Sequence, residues 1–122
     1  MTNQEIVTRF LNGFNNPQHI GESWALLAGD YKFKNPMVAL GSKTEFIALA
    51  TEMAKVLTGV KLISTAENGN WVATHYIFQS AIPGLENNHA AEWFRLEKGI
   101  IRESVLIYDA SQWRKVYENI QP

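Results

Sequence analysis

The sequence predicts an α+β fold in which a cone-shaped, curved antiparallel sheet wraps around three helices. Three observations lead there. Before Gly59, apolar residues recur at helical spacing in three stretches, with one short alternating strand among them. From Val60 to Asp109 the pattern changes to long runs rich in β-branched and aromatic residues, split by turn signals. After Asp109 a short amphipathic stretch returns to helical spacing. The resulting order is α-α-β-α-β-β-β-β-α.

The first helix is predicted over Thr2–Phe14, where Ile6, Val7, Phe10, Leu11 and Phe14 share one face. Thr2 followed by Glu5 fits a capping box, and Asn15-Asn16-Pro17 stops the helix. A second helix is predicted from about Pro17 to Ala28, buried through Ile20, Trp24 and Leu27 and capped by Gly29. Asp30–Lys34 alternates as a short strand broken by Asn35-Pro36. Ser42 with Glu45 reads as the capping box of a third helix, whose stripe is Phe46, Ile47, Ala50, Met53, Ala54 and Leu57, ended by Gly59.

Four long strands follow: Val60–Glu67, Trp71–Ile82, His89–Glu97 and Ile100–Asp109. Asn68-Gly69 and Lys98-Gly99 signal tight hairpins, and 83–88 a longer loop. The last helix is expected over Ser111–Asn119, with Trp113, Val116, Tyr117 and Ile120 on its apolar face. A sheet of this length must curl to cover the helices, and the space between becomes a cup.

With 122 residues the chain has the length of one domain. Hydrophobic residues at 46% and charged residues at 19% are ordinary for a soluble globular protein. The net charge of −1, without a basic run, argues against nucleic acid or an anionic membrane as partner. No cysteine is present, which excludes disulfides and thiolate chemistry. The polar, then amphipathic start reads as neither signal nor transit peptide, and no apolar run approaches membrane-spanning length, so a cytoplasmic location is the default expectation. Nucleotide, serine-hydrolase and zincin motifs are missing, and the three histidines lack metal-ligand spacing, so neither cofactor nor metal is expected.

The chemistry-bearing candidate is Glu92. It alternates with Ala90, Phe94 and Leu96, so one strand face is apolar except for a carboxylate. If that face looks inward, burial raises the pKa of the acid and suits it to give or take a proton. Two other readings stay open: Trp93 and Arg95 face inward instead, or a buried Glu92 is bonded to Tyr or His for structure alone. His75 could pair with Glu92 as an acid–base couple or be a hydrogen-bonded structural histidine. His19 and His89 look like solvent residues. Asp109 with Gln112 fits a capping box for the last helix better than a catalytic acid.

The element order, the run Glu92–Asp109 (EWFRLEKGIIRESVLIYD) and the segment Ala28–Pro36 (AGDYKFKNP) resemble the nuclear transport factor 2-like superfamily, in its small SnoaL-like branch related to polyketide cyclases and ketosteroid isomerase. The resemblance implies a cystatin-like roll, a ligand cup and a homodimer through the outer sheet face. It also implies that Arg102, Ser104, Leu106 and Tyr108 line the cup, with the Tyr108 hydroxyl assisting Glu92 or satisfied in the core. The ligand-facing candidates are Phe10, Trp24, Tyr31, Phe33, Phe94, Ser104 and Leu106. Against the ketosteroid isomerase pattern, Asn35 stands where the base belongs and Phe10 where the oxyanion-hole tyrosine belongs; Glu92, before Arg95, keeps the third role. Steroid isomerisation is therefore not expected. Three readings follow: an acid–base enzyme acting on a small apolar or carbonyl-containing molecule, a non-catalytic binder with the same cup, or a dimerisation module with the cup filled. Polar groups converging on Glu92 distinguish them.

Overall fold

The computed structural model describes residues 1–120, the side chain of Ile120 excepted, so the expectation for that side chain lies outside the described residues. The elements are α1 (Asn3–Asn12), α2 (Ile20–Trp24), β1 (Leu27–Lys34), β2 (Ala39–Leu40), α3 (Lys43–Met53), β3 (Leu57–Asn68), β4 (Trp71–Ser80), β5 (Asn87–Glu97), β6 (Ile100–Tyr108) and α4 (Trp113–Ile120). Short 3-10 turns at Gly13–Asn15 and Pro17–His19 join α1 to α2. One curved sheet runs in the order β2-β1-β6-β5-β4-β3. It is antiparallel throughout except where β1 lies parallel to β6. Among the described residues no helix is long and apolar enough to cross a membrane.

Capping chemistry sets the helix starts. The Thr2 hydroxyl accepts from the Glu5 backbone at 3.1 Å while the Glu5 carboxylate accepts from the Thr2 backbone at 3.1 Å, a complete capping box. At α3 the Ser42 hydroxyl accepts from the Glu45 backbone at 3.1 Å, but the Glu45 side chain takes the Ser42 hydroxyl instead of its backbone N–H.

The second helix is shorter than periodicity suggests. Leu27 and Ala28 are buried and belong to β1, because Leu27 pairs with Ile101 and the Ile101 N–H donates to the Leu26 carbonyl at 2.9 Å. Gly29 accordingly sits inside a strand and caps nothing. α3 stops at Met53, since Leu57 already pairs with Ser80 across β3 and β4. β2 was not expected; its two residues pair with the end of β1 after Asn35 turns the chain.

β-Bulges bend the sheet. Register slips in β3 at Leu57/Gly59 and at Leu62/Ser64. Between β5 and β6, Arg95 pairs with Glu103 and Leu96 with Ile101, leaving Arg102 as the extra residue. The two-residue turn Lys98-Gly99 has positive φ at both positions (52° and 77°), as a type I′ hairpin turn demands. The concave face packs on α1 through Ile6, Val7, Phe10 and Leu11, and on Phe46 of α3. Trp113 of α4 is buried against Phe78 and donates its indole N–H to Asn88 at 3.0 Å.

α1 and α2 meet at Gly13. A Cβ there would lie 1.7 Å from the Ser23 hydroxyl oxygen, which is buried and donates to the Phe10 carbonyl at 2.9 Å. Helix propensity favours alanine over glycine by up to about 1 kcal/mol, but this overlap forces Ser23 out and breaks its bond. Gly13→Ala is therefore expected to destabilise the fold by about 1–3 kcal/mol, read by urea denaturation; an unchanged or raised midpoint would refute this contact.

Candidate functional site

The alternation of β5 turns Ala90, Glu92, Phe94 and Leu96 to the concave face, all buried, while Trp93 points out and is 45% exposed. Glu92 is thus a carboxyl in the core. The Tyr76 hydroxyl of β4 donates to its Oε1 at 2.7 Å, and the Ser104 hydroxyl of β6 donates to its Oε2 at 2.7 Å. Ser104 is bonded in turn to the hydroxyl of Tyr31, which is wholly buried on β1. Among the described residues no ion pair involves Glu92. Burial pushes its carboxyl from 4.5 up to about 7, against the opposing pull of the Tyr76 and Ser104 hydrogen bonds. The same burial, with the Glu92 charge beside them, raises the Tyr31 and Tyr76 hydroxyls well above 10.0, so both stay neutral donors.

A cavity of about 430 Å³ opens on this acid. α1 and α2 contribute Phe10 and Trp24, β1 contributes Phe33, α3 contributes Phe46, Leu49, Ala50 and Met53, and the sheet contributes Tyr76, Phe78, Glu92, Leu106 and Tyr108. Asn35 also lines it, its Oδ1 occupied by the backbone N–H groups of Met37 and Val38, each at 2.8 Å. A larger depression, about 870 Å³, runs along α1 to His19, Glu22 and Thr65. It is an open surface groove that holds none of the candidate residues, and the smaller cavity is the one with chemistry in it.

The candidates from sequence separate into three groups. Glu92, Phe10, Trp24, Phe33, Leu106 and Tyr108 line the cavity. Tyr31, Ser104 and Phe94 do not: the first two hold the acid from behind, and Phe94 is core, packed edge-on to Phe10 at 5.8 Å. Tyr108 packs on Phe78 at 5.2 Å, and burial pushes its hydroxyl up to about 12, but among the described residues no hydrogen bond joins it to Glu92.

His75 is a correction. It stands on the outer face opposite Ala91, because Thr74 and Tyr76 on either side of it face inward. Its Nε2 shares a 2.9 Å hydrogen bond with Nδ1 of His89, the residue expected to be alone in solvent. Arg102 is another: the bulge turns it outward to Asp30 at 3.2 Å and turns Ile101 into the core. Asp109 accepts from the Ser111 N–H at 3.0 Å, which lowers its pKa, but α4 begins only at Trp113, so it makes a turn before the helix and is not the cap. The outer face expected to meet a second copy leaves Ile63, Trp93 and Ile107 exposed. Among the described residues no group of three potential metal ligands occurs.

Sequence reasoning missed Tyr76, one of the two hydroxyls that donate to the acid. Its signal was the inward set Val72, Thr74, Tyr76, Phe78 and Ser80 against the outward set Ala73, His75, Ile77 and Gln79. Gln79 and His75 on the same parity mark the outer face.

The curved sheet with helices on its concave face is shared with solved structures of nuclear transport factor 2-like and cystatin-like fold. No protein-family model matches the chain, and no curated protein matches it. Solved structures do. An NTF2-like protein of unknown function from Cytophaga hutchinsonii aligns with 19% identity over 93% of this chain and 96% of its own, at a TM-score of 0.78. A protein of unknown function with a cystatin-like fold from Xanthomonas campestris aligns with 16% identity over 96% and 98%, at 0.80. A candidate SnoaL-like polyketide cyclase from Jannaschia sp. CCS1 aligns with 14% identity over 98% and 93%, at 0.77.

Ionisation of Glu92 has a thermodynamic consequence with a definite sign. Its folded pKa, about 7, lies above the unfolded 4.5. Below 4.5 both states are protonated. Between 4.5 and 7 the unfolded chain gives up the proton and the folded chain keeps it, so stability falls as pH rises, by about 3 kcal/mol in all, and levels off above 7. Glu92→Gln is expected to lack this decline, so urea denaturation at pH 4 and pH 8 separates the two proteins. Parallel pH profiles would contradict the burial of an ionisable acid.

Proposed function

We propose that the cavity takes up a small organic molecule with a mostly apolar body and that Glu92 gives or takes a proton on the group presented to it. This is acid–base chemistry of the isomerase, cyclase, dehydratase or hydrolase type. The observation that supports it is a carboxyl with a pKa of about 7 on the wall of an aromatic cavity. An acid whose pKa matches neutral pH is populated in both forms, which is what efficient proton transfer in either direction requires. Protonated, Glu92 has a hydrogen to donate. Ionised, its charge is held by the Tyr76 and Ser104 hydroxyls, which are oriented before any ligand arrives. The fold shared with the structural neighbours fixes no reaction.

One observation favours a second reading, a binder without catalysis. Both carboxyl oxygens of Glu92 already accept from the chain's own hydroxyls, and no second acid or histidine lines the cavity among the described residues.

An NMR screen of small aromatic ketones, alcohols and amines tests both. Ligands are expected to shift the amide signals of Phe10, Phe46, Tyr76 and Glu92. Ala50→Trp, which fills the cavity, is expected to abolish those shifts. For an enolisable ketone, deuterium exchange at its α-carbon should fall by about 10²–10⁴-fold in Glu92→Gln. Binding without exchange would leave the binder reading; no binding at millimolar concentrations would remove both.

A further inference from the structure

The cavity has an uneven charge inventory. Among its described lining residues Glu92 alone can carry a charge at neutral pH, and Lys, Arg and His are missing. The groups bonded to the carboxyl are neutral, Tyr76 on β4 and Ser104 on β6 with Tyr31 of β1 behind it, and the α1 residues that share the cavity with it, Phe10 and Leu11, are hydrocarbon. A buried carboxylate with hydrogen bonds but no cation leaves its negative charge uncompensated in a poorly solvated place. The rest of the wall is dominated by the rings of Phe10, Trp24, Phe33, Phe46, Tyr76 and Tyr108. Aromatic faces carry negative quadrupole density and attract cations most strongly where water is excluded. A carboxylate at one point of an aromatic enclosure is complementary to a positively charged nitrogen with an apolar body. An anionic ligand would meet repulsion, and a neutral one would leave the ionised form of Glu92 unpaired.

We infer that the ligand class of this cavity is a small organic ammonium, with its charged nitrogen at Glu92 and its hydrocarbon among the rings. This rests on the reading of the cavity as a ligand site and specifies the group that reaches the acid. Binding of such a cation favours the ionised form of Glu92, so the carboxyl and the ligand strengthen each other's charge. By linkage, a cation binds better as the pH rises through the titration of Glu92, whereas a neutral carbonyl that accepts from the protonated acid binds better as the pH falls.

The opposite signs make the test. Benzyltrimethylammonium is permanently charged, so the pH dependence of its binding reports the protein. Acetophenone is a neutral aromatic of similar width. Titration calorimetry from pH 5 to pH 8.5 is expected to show the ammonium binding roughly tenfold more tightly per pH unit up to about pH 7 and levelling above it. Glu92→Gln is expected to weaken it roughly 30-fold or more and to abolish the pH dependence. Wild-type protein alone decides the sign should that variant fail to fold. Acetophenone binding that weakens above pH 7, with no ammonium binding, would overturn the inference while leaving the cavity's proposed function in place. Failure of both probes, and of the wider ligand set, would overturn both.

Discussion

The structure depends on burying one ionisable carboxyl with hydroxyl partners and without a cation. Tyr76 and Ser104 each donate to one oxygen of Glu92, and Tyr31 supports Ser104. An unsatisfied buried charge costs several kcal/mol, and a pair of good hydrogen bonds offsets only part of that. The remainder appears as the pKa of about 7. Four strands are needed to build this arrangement, the acid from β5, one partner from β4, one from β6 and a second-rank one from β1, so the site is a property of the sheet and not of a loop.

The curvature of the sheet and the cavity are linked. Had the strands stayed flat, α1 and α3 could not both lie on the inner face. The bulges in β3 and at Arg102 allow the bend, and the bulge at Arg102 has a second effect. It puts Ile101 and Ser104 on the same inner face despite their odd spacing, so one strand delivers a core anchor near its start and the partner of the acid farther along. α4 then docks Trp113 against Phe78 and Asn88. Aromatic packing around Phe46, with Phe33 at 5.0 Å and Trp24 at 5.8 Å, forms part of the cavity wall.

Much of this was legible in the amino-acid order. Strict alternation in β5 put Glu92 on one face with Ala90, Phe94 and Leu96, and left open whether that face or the one with Trp93 and Arg95 was buried; the structure buries the Glu92 face. The Lys98-Gly99 pair makes the last hairpin turn as expected, while the first hairpin falls one residue later than Asn68-Gly69, with Gly69-Asn70 as the turn and Asn68 still paired with Trp71. β4 was harder to read: apolar residues occupy both of its faces, so period-two reasoning left the parity of His75 open and passed over Tyr76, which the structure turns inward. Arg102 was opaque because a single extra residue reverses parity along a strand, and nothing local marks which residue is extra. The end of the second helix was decided at a distance, by the pairing of Leu27 with Ile101, which local helix propensity does not register. The contact between His75 and His89 likewise depends on the register between β4 and β5.

The most direct measurement is the titration of the Glu92 side chain itself. Carbon-13 NMR of glutamate-labelled protein, with Glu92→Gln used to assign the signal, follows the carboxyl carbon across the pH range. A midpoint close to 7 is expected for an acid enclosed by rings and held by two hydroxyls. A midpoint near 4.5, the value of a solvated glutamate, would contradict it.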